Sequence, residues 1–354
     1  MLSAFDEISL NHEAGDITLE HSVLALDAKI NGQINFLSNA AEAYFTGKTG
    51  GKQLLVSPET HRILASKMAK AAFLPCTYFR PIMIGNLRVE LLPSGHGPGS
   101  SFLRIEKKSD SLLYASHWSN RTSSLLRRAS PKHSETLLLK LHSDPSTLFA
   151  TSVRREVERF CEFCVKLTRA GEKIVTVVDS WGTVHHLIAS LTELRIPIGV
   201  DKHLQALIGA THELTNPTAH YTDHQRTENT EIQWTQGART QWVDVGATQP
   251  CVVFVSKEAL LARRQRTLPQ GIWVWTGLDH QLCSQSQWTS QLAFAEQFAI
   301  QFFPDHSEIE DLVRETAPRQ VLVSGEGAQN CVHQLTRRGV DAQVFAPPRL
   351  ETLF

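Results

Sequence analysis

From residue 151 the chain alternates helix and strand, and this alternation dictates how its middle third folds. SVRREVERFCEFCVKLTRAG carries an apolar stripe at helical spacing and stops at Gly171, a residue suited to the left-handed turn that closes a helix. KIVTVVD (173–179) follows as a short apolar run, the mark of a buried strand. GTVHHLIASLTEL then reads as a second helix and IPIGVD (196–201) as a second strand. CVVFVS (251–256) and GIWVWTG (271–277) resume the strands. Runs that are apolar on both faces and joined through helices pack as a parallel sheet, because a helix supplies the long return that parallel neighbours need.

The first 150 residues follow a different rule. Short apolar runs alternate with Gly, Pro and Asn. SVLALDA (22–28) and INFLS (34–38) read as strands separated by the turn-prone Asn31-Gly32. KQLLVS (52–57) is a third strand, and Ser57-Pro58 then opens a helix, with Ser57 as N-cap and Pro in the first turn. LRVELLP (87–93), SSFLRIEK (100–107), SLLYASH (111–117) and TLLLKLH (136–142) read as further strands. After residue 300 come a helix (EIEDLVRETAP), a strand (PRQVLVSGE), and a helix with a last strand (NCVHQLTRRGVDAQVFAP). Residues 215–247 are polar and without period, and read as loop. Many short strands with few helices predict sheets packed face to face with helices outside.

Charge narrows the function. The 35 basic and 36 acidic residues give a net charge of −1, which argues against binding nucleic acid through bulk charge and leaves room for a local patch. No apolar run approaches the roughly 20 residues of a membrane span. The first 20 residues are acidic and lack an apolar signal core. These features predict a cytoplasmic protein without a membrane partner. Six scattered cysteines predict reduced thiols. Cys161 and Cys164 form a lone CxxC on the helical run, read as two helix positions with a metal or redox pair as the alternative.

Four segments carry a resemblance by their order: LDA and FLSNAAEAYF (26–45), LLPSGHGPGS (91–100), LLYASHWS (112–119), and FFPDHSEIEDLV with VLVSGEG (302–327). The order resembles the metallo-β-lactamase fold carrying a β-CASP insert, a family of nucleic-acid-cleaving hydrolases. The nearest likeness is to the short bacterial exonucleases associated with DNA ligase, and a more distant one is to RNA 3′-processing factors. It implies an αββα sandwich formed by residues 1–150 and 300–354, with a β-CASP-like α/β domain inserted over 151–299.

The family's chemistry uses two metal ions that share a water and clamp a phosphate in an in-line displacement. Its main ligand cluster, His-x-His-x-Asp-His, lines up with FLSNAAEAYF. On that alignment Asn39 stands at the first His, Ala41 at the second, Ala43 at the Asp and Tyr44 at the last His. The loop His is kept as His96, the strand-end Gly-Asp has become Ser116-His117, and the late His-Gly has become Ser324-Gly325. The β-CASP His is kept as His306, and the acidic position before the insert falls near Lys140. Alanine offers no lone pair, and tyrosine and neutral asparagine replace imidazole and carboxylate poorly.

The resemblance therefore implies a catalytically inactive homologue of β-CASP nucleases without a resident cofactor. Such a chain acts as a nucleic-acid-binding or assembly subunit in DNA repair or RNA processing, with DNA, RNA, an active nuclease or a ligase-associated repair protein as partner. The alternative is a working phosphodiesterase or exonuclease with a rebuilt site. There His96, His117 and His306 hold one weakly bound zinc or manganese ion, and Glu42 or Asp305 moves the proton. A third reading is an assembly subunit that touches no nucleic acid.

Other residues carry smaller expectations. Arg121, Arg127, Arg128 and Lys132 form the preferred nucleic-acid patch, whereas Arg154 and Arg155 sit beside Glu156 and Glu158. Asp27 is expected to fix a turn. His185 and His186 are adjacent on a helix and so point about 100° apart. Trp273 and Trp275 share one face of a strand and are expected in the core.

Overall fold

In the computed structural model the chain is a mixed α/β protein. The structure describes residues 8–13, 16–19, 23–29, 33–41, 49–50, 52–65, 67–120, 127–145, 153–178, 181–201, 204, 208, 243, 248–256, 260, 270–277, 293–300 and 302–346. It divides into two compact units, Met1–Thr122 with Arg127–Ala150 and Phe303–Phe354, and Ser123–Leu126 with Thr151–Phe302.

The first unit begins with a six-stranded sheet in the order β1 (Leu10–Glu13), β2 (Asp16–Leu19), β3 (Leu24–Leu26), β4 (Ile34–Phe36), β5 (Gln53–Val56), β6 (Ala72–Pro75). Helix α1 (Pro58–Ala65) links β5 to β6, and the Ser57 hydroxyl accepts the Thr60 N–H at 3.1 Å as the N-cap predicts. One expectation changes here. Asn31-Gly32 has the chemistry of a hairpin turn, yet β3 and β4 pair in parallel, with Leu24 opposite Ile34. Each strand is three residues long, or about 10 Å. The seven residues between them are enough to carry the chain back to the start of a neighbour, so no helix is needed.

β7 (Ile82–Ile84), β8 (Leu87–Pro93), β9 (Ser101–Lys107) and β10 (Asp110–Ala115) form an antiparallel meander, and β11 (Thr136–Leu141) adds in parallel to β10. The second unit follows. It holds α2 (Val153–Arg169), β12 (Ile174–Val178), α3 (Trp181–Glu193), β13 (Ile198–Val200), β14 (Val252–Ser256), β15 (Ile272–Thr276) and β16 (Glu296–Phe298). Its five strands run in the order β13-β14-β12-β15-β16, and every pair is parallel. Val175, Val177, Val253, Val255, Trp273 and Trp275 form its core, so the two tryptophans are buried packing residues. The chain then returns to the first unit through α4 (His306–Thr316), β17 (Gln320–Gly325), α5 (Ala328–Arg337) and β18 (Ala342–Val344). β17 pairs in parallel with β11, and β18 in parallel with β17, completing a seven-stranded sheet.

The two sheets of the first unit share a core. Ile17, Leu19, Leu26, Phe36 and Leu55 of the first meet Val89, Leu91, Leu103, Ile105 and Tyr114 of the second. The opposite face of the second sheet offers Phe102, Leu113, Leu137, Leu139 and Val323 to Ile309 and Leu312 of α4 and Cys331 and Leu335 of α5. Both faces of β10 and β11 are thus covered, which explains their unbroken apolar sequences. Polar residues gather where these strands end.

Among the described residues, no helix is long and apolar enough to cross a membrane.

Candidate functional site

β8, β10, β11 and β17 all point the same way in the second sheet, and their carboxyl ends carry Ser94, Ser116-His117, His142 and Ser324-Gly325 in turn. β4 of the facing sheet ends beside them, because the Ser38 hydroxyl lies 3.0 Å from His117 Nδ1. The carboxyl ends of parallel strands are where α/β sheets ordinarily build ligand sites.

Asp27 organises this edge. Its φ of 46° lets the chain turn sharply after β3. Its Oδ1 accepts the Ser38 N–H at 2.7 Å and its Oδ2 accepts the Tyr114 hydroxyl at 2.9 Å. Its carbonyl accepts from Lys140 Nζ at 3.3 Å. One carboxylate therefore ties β4 to β10, the turn-fixing role expected of it.

The SGHGPGS loop is held by hydroxyls. The Gly99 carbonyl accepts from Ser57 at 2.8 Å, Ser101 at 3.0 Å and Thr60 at 3.1 Å. Gly95 (φ 76°) passes so close to Ser119 that a β-carbon there would stand 2.3 Å from its carbonyl oxygen. The Ser94 hydroxyl donates to the His117 carbonyl at 2.6 Å. These contacts set His96, nearly fully buried, beside His117, with ring centroids 5.4 Å apart.

A third histidine joins them. The His142 ring stacks on His117 at 3.9 Å, and Phe303 stacks on His96 at 5.6 Å and on His142 at 5.9 Å. The Ser116 hydroxyl lies 2.8 Å from His142 Nε2 and 3.2 Å from His117 Nδ1. Ser38, His117, Ser116 and His142 thus form one chain of alternating hydroxyls and imidazoles. Burial pushes His117 well below its ordinary value of 6.5, and the positive charge of His142, His96 or Lys140 would push it the same way. The ring is therefore neutral at neutral pH, and both serine hydroxyls meet it at the same nitrogen, Nδ1. Ser116, Lys140, Leu141, His142, Ser143, Phe303 and Pro304 line a tight crevice that is partly open to solvent and has no room for a water molecule.

The family-derived positions fall as follows. Asn39 is buried, and its Oδ1 accepts the Ala41 N–H at 2.7 Å, closing a local turn. Ala43, Tyr44 and Glu42 lie outside the described residues, as does Arg121. The Ser324 hydroxyl donates to the Leu139 carbonyl at 3.2 Å and so serves the backbone of β11. His306 opens α4, whose N-cap is Asp305 in a capping box with Glu308. Burial lowers its pKa, while Asp144, Glu310 and Asp305 act to raise it. Among the described residues, no three His, Cys, Asp or Glu side chains are grouped to hold a metal ion. His96, His117 and His306 are not grouped in this way here. His117 Nδ1 and His142 Nε2 face serine hydroxyls.

The expected nucleic-acid patch is more balanced than its sequence implies. Lys132 Nζ lies 2.6 Å from buried Glu90 and above the Phe79 ring. Arg127 lies over the Tyr78 ring, 3.9 Å from Glu59, while Arg128 is exposed. The CxxC thiols are helix positions: burial pushes Cys161 up to about 11 and Cys164 well above its ordinary value, so neither is a thiolate at neutral pH. His185 and His186 are both buried in α3, with His186 stacked on Phe302 at 3.8 Å.

His142 and Phe303 were not singled out from the sequence. A signal for His142 exists: SLLYASH and TLLLKLH are both apolar runs ending in His, and pairing them in parallel sets the two rings side by side. The sequence matches no family model and no curated protein.

Proposed function

We propose that the first unit is a metallo-β-lactamase-like sandwich interrupted by a β-CASP-like domain, and that the chain is a catalytically inactive homologue of β-CASP nucleases. It binds nucleic acid or a partner in DNA or RNA processing. The observation that carries this reading is the hydroxyl–imidazole chain at the strand ends. Where two-metal hydrolysis needs imidazole and carboxylate lone pairs aimed at ions, this chain has Asn39, Ala41, Ser116 and Ser324, and directs His117 and His142 at serines. The fold reading is supported by the two facing sheets with α4 and α5 on the outside. The exposed side chains of Arg127 and Arg128, with Arg121 and Lys132, supply candidate phosphate contacts.

The test is metal content together with cleavage of single- and double-stranded DNA and RNA. The protein is expected to carry less than about a tenth of an ion per chain and to cleave none of these substrates. A stoichiometric ion with metal-dependent cleavage that His96→Ala abolishes would overturn the reading.

A further inference from the structure

Phe79 stands in a turn that suits a glycine, yet it holds its ring outside the core. The Arg80 N–H donates to the Thr77 carbonyl at 3.2 Å and closes a four-residue turn. Phe79 is third in that turn with a φ of 62°, a left-handed conformation that glycine or asparagine adopts far more readily than a bulky side chain. Its ring is 48% exposed, so burial returns little for the strain. What the ring meets is a cation: Lys132 Nζ lies 5.7 Å from its centroid, and Arg127 lies 5.4 Å from the ring of neighbouring Tyr78. Both segments hang from β8. The Phe79 N–H donates to the Leu91 carbonyl and the Ser130 N–H to the Pro93 carbonyl, each at 3.0 Å. The turn at 77–80 and the segment 127–132 are thereby held side by side. Lys132 is matched by Glu90, and Arg127 lies near Glu59. Arg80 and Arg128 are exposed, and among the described residues neither guanidinium is in an ion pair. Four cations against two carboxylates give this surface a local positive charge in a chain of net charge −1.

We propose that Phe79 is a stacking platform for an unpaired base of a single-stranded nucleic acid, with Arg80 and Arg128 as contacts to its phosphates. The proposal names the strand class and the contact residues for the nucleic-acid binding proposed above, and rests on that reading. The ligand class follows from the groups present. Every base offers a flat π face to an aromatic ring, and its backbone offers a phosphate at each step to a guanidinium. In a duplex those faces are already stacked on their neighbours, so a ring fixed on the surface selects a single strand. Lys132, held by Glu90, steadies the ring through its cation–π contact and leaves the phosphates to the two arginines. An acidic peptide would satisfy the arginines alone and leave the ring unused.

The test measures binding of the full chain to a short homopyrimidine strand, to a fully abasic strand of the same length, and to a duplex of that length. The base-bearing strand is expected to bind about fivefold to a hundredfold tighter than the abasic one, the effect of one stacked base. It is also expected to bind tighter than the duplex. Phe79→Gly should abolish the preference for bases while leaving the melting temperature unchanged or raised, because glycine relieves the positive φ. Phe79→Trp should keep the preference. Replacing Arg80 and Arg128 together by alanine should weaken binding of both strands and flatten its salt dependence. Equal affinity of the wild type for base-bearing and abasic strands overturns the proposal, a result that needs no variant to fold. So does a preference for bases that survives in Phe79→Gly, tighter binding to the duplex, or binding of polyglutamate in place of the strands. The two readings fail separately. Strand or duplex binding indifferent to the bases removes the stacking platform and keeps the nucleic-acid role, whereas no binding to any of the three removes both.

Discussion

Replacing Asp27 by alanine tests whether one carboxylate holds the site edge together. The substitution removes the acceptor of the Ser38 N–H (2.7 Å) and of the Tyr114 hydroxyl (2.9 Å), both in residues with no exposed surface. Each orphaned buried donor costs about 1–3 kcal/mol. Alanine is also less tolerant than aspartate of a φ of 46°, which adds about 1 kcal/mol. The sum is about 3–7 kcal/mol, a large part of the stability of an ordinary domain. Asp27→Asn keeps the acceptor for Ser38 and should cost about 1–2 kcal/mol. Tyr114→Phe removes the orphaned hydroxyl, so combined with Asp27→Ala it should cost about 1–2 kcal/mol less than the sum of the single changes. Hydrogen exchange at the Ser38 amide and across β10 and β11 reads the effect locally, free of the second unit's unfolding. A loss under about 1 kcal/mol for Asp27→Ala, or strict additivity with Tyr114→Phe, refutes the assignment.

Three further outcomes are expected. Gly99→Ala sets a β-carbon 2.7 Å from the Thr60 backbone nitrogen at a φ of 75° and should cost about 2–5 kcal/mol. Gly85→Ala, with open space around it at a φ of 59°, should cost only about 1–2 kcal/mol, and thermal melts of the pair check the contrast. His117 has a folded pKa below its ordinary 6.5, so the unfolded chain takes up the proton first. Its contribution is therefore complete above about pH 6.5 and declines below it by up to about 1.4 kcal/mol per pH unit. Urea midpoints from about pH 8 down to about pH 5 should show this slope, and His117→Asn should flatten it. In the second unit, Glu156 pairs with Arg159 at 2.8 Å and accepts the Ala299 N–H at 3.0 Å. Glu156→Ala should cost about 2–4 kcal/mol and expose the Ala299 amide to exchange.

Much of the local structure was legible because its causes are local. The helix over 153–169 follows from its apolar stripe and closing glycine, and the strands LRVELLP and TLLLKLH from β-prone apolar runs. The short strands β1, β2, β6, β7 and β16 escaped notice, since three or four residues, at a sheet edge in all but β2, carry too little pattern to stand out from a loop. The parallel pairing of β3 and β4 escaped for a related reason. Asn31-Gly32 offers a hairpin its favoured chemistry, and only the neighbours of each strand decide its direction.

The sequence by itself determined which residues are present for chemistry: an SGHGPGS loop with His96, a His after each of two apolar runs, and Asn39 and Ala41 where ligands are absent. Only the tertiary structure decided which of them meet. Parallel pairing of β10, β11 and β17 brings Ser116-His117, His142 and Ser324, dispersed over two hundred positions of chain, to one edge. The return of the chain at Phe303 then lays an aromatic ring across the histidines. Register and strand order are long-range properties, set by what each strand buries against its neighbours. That is why Lys140, placed by the sequence only near a lost acidic position, ends at the same strand edge as His142 and Ser116, donating to the Asp27 carbonyl.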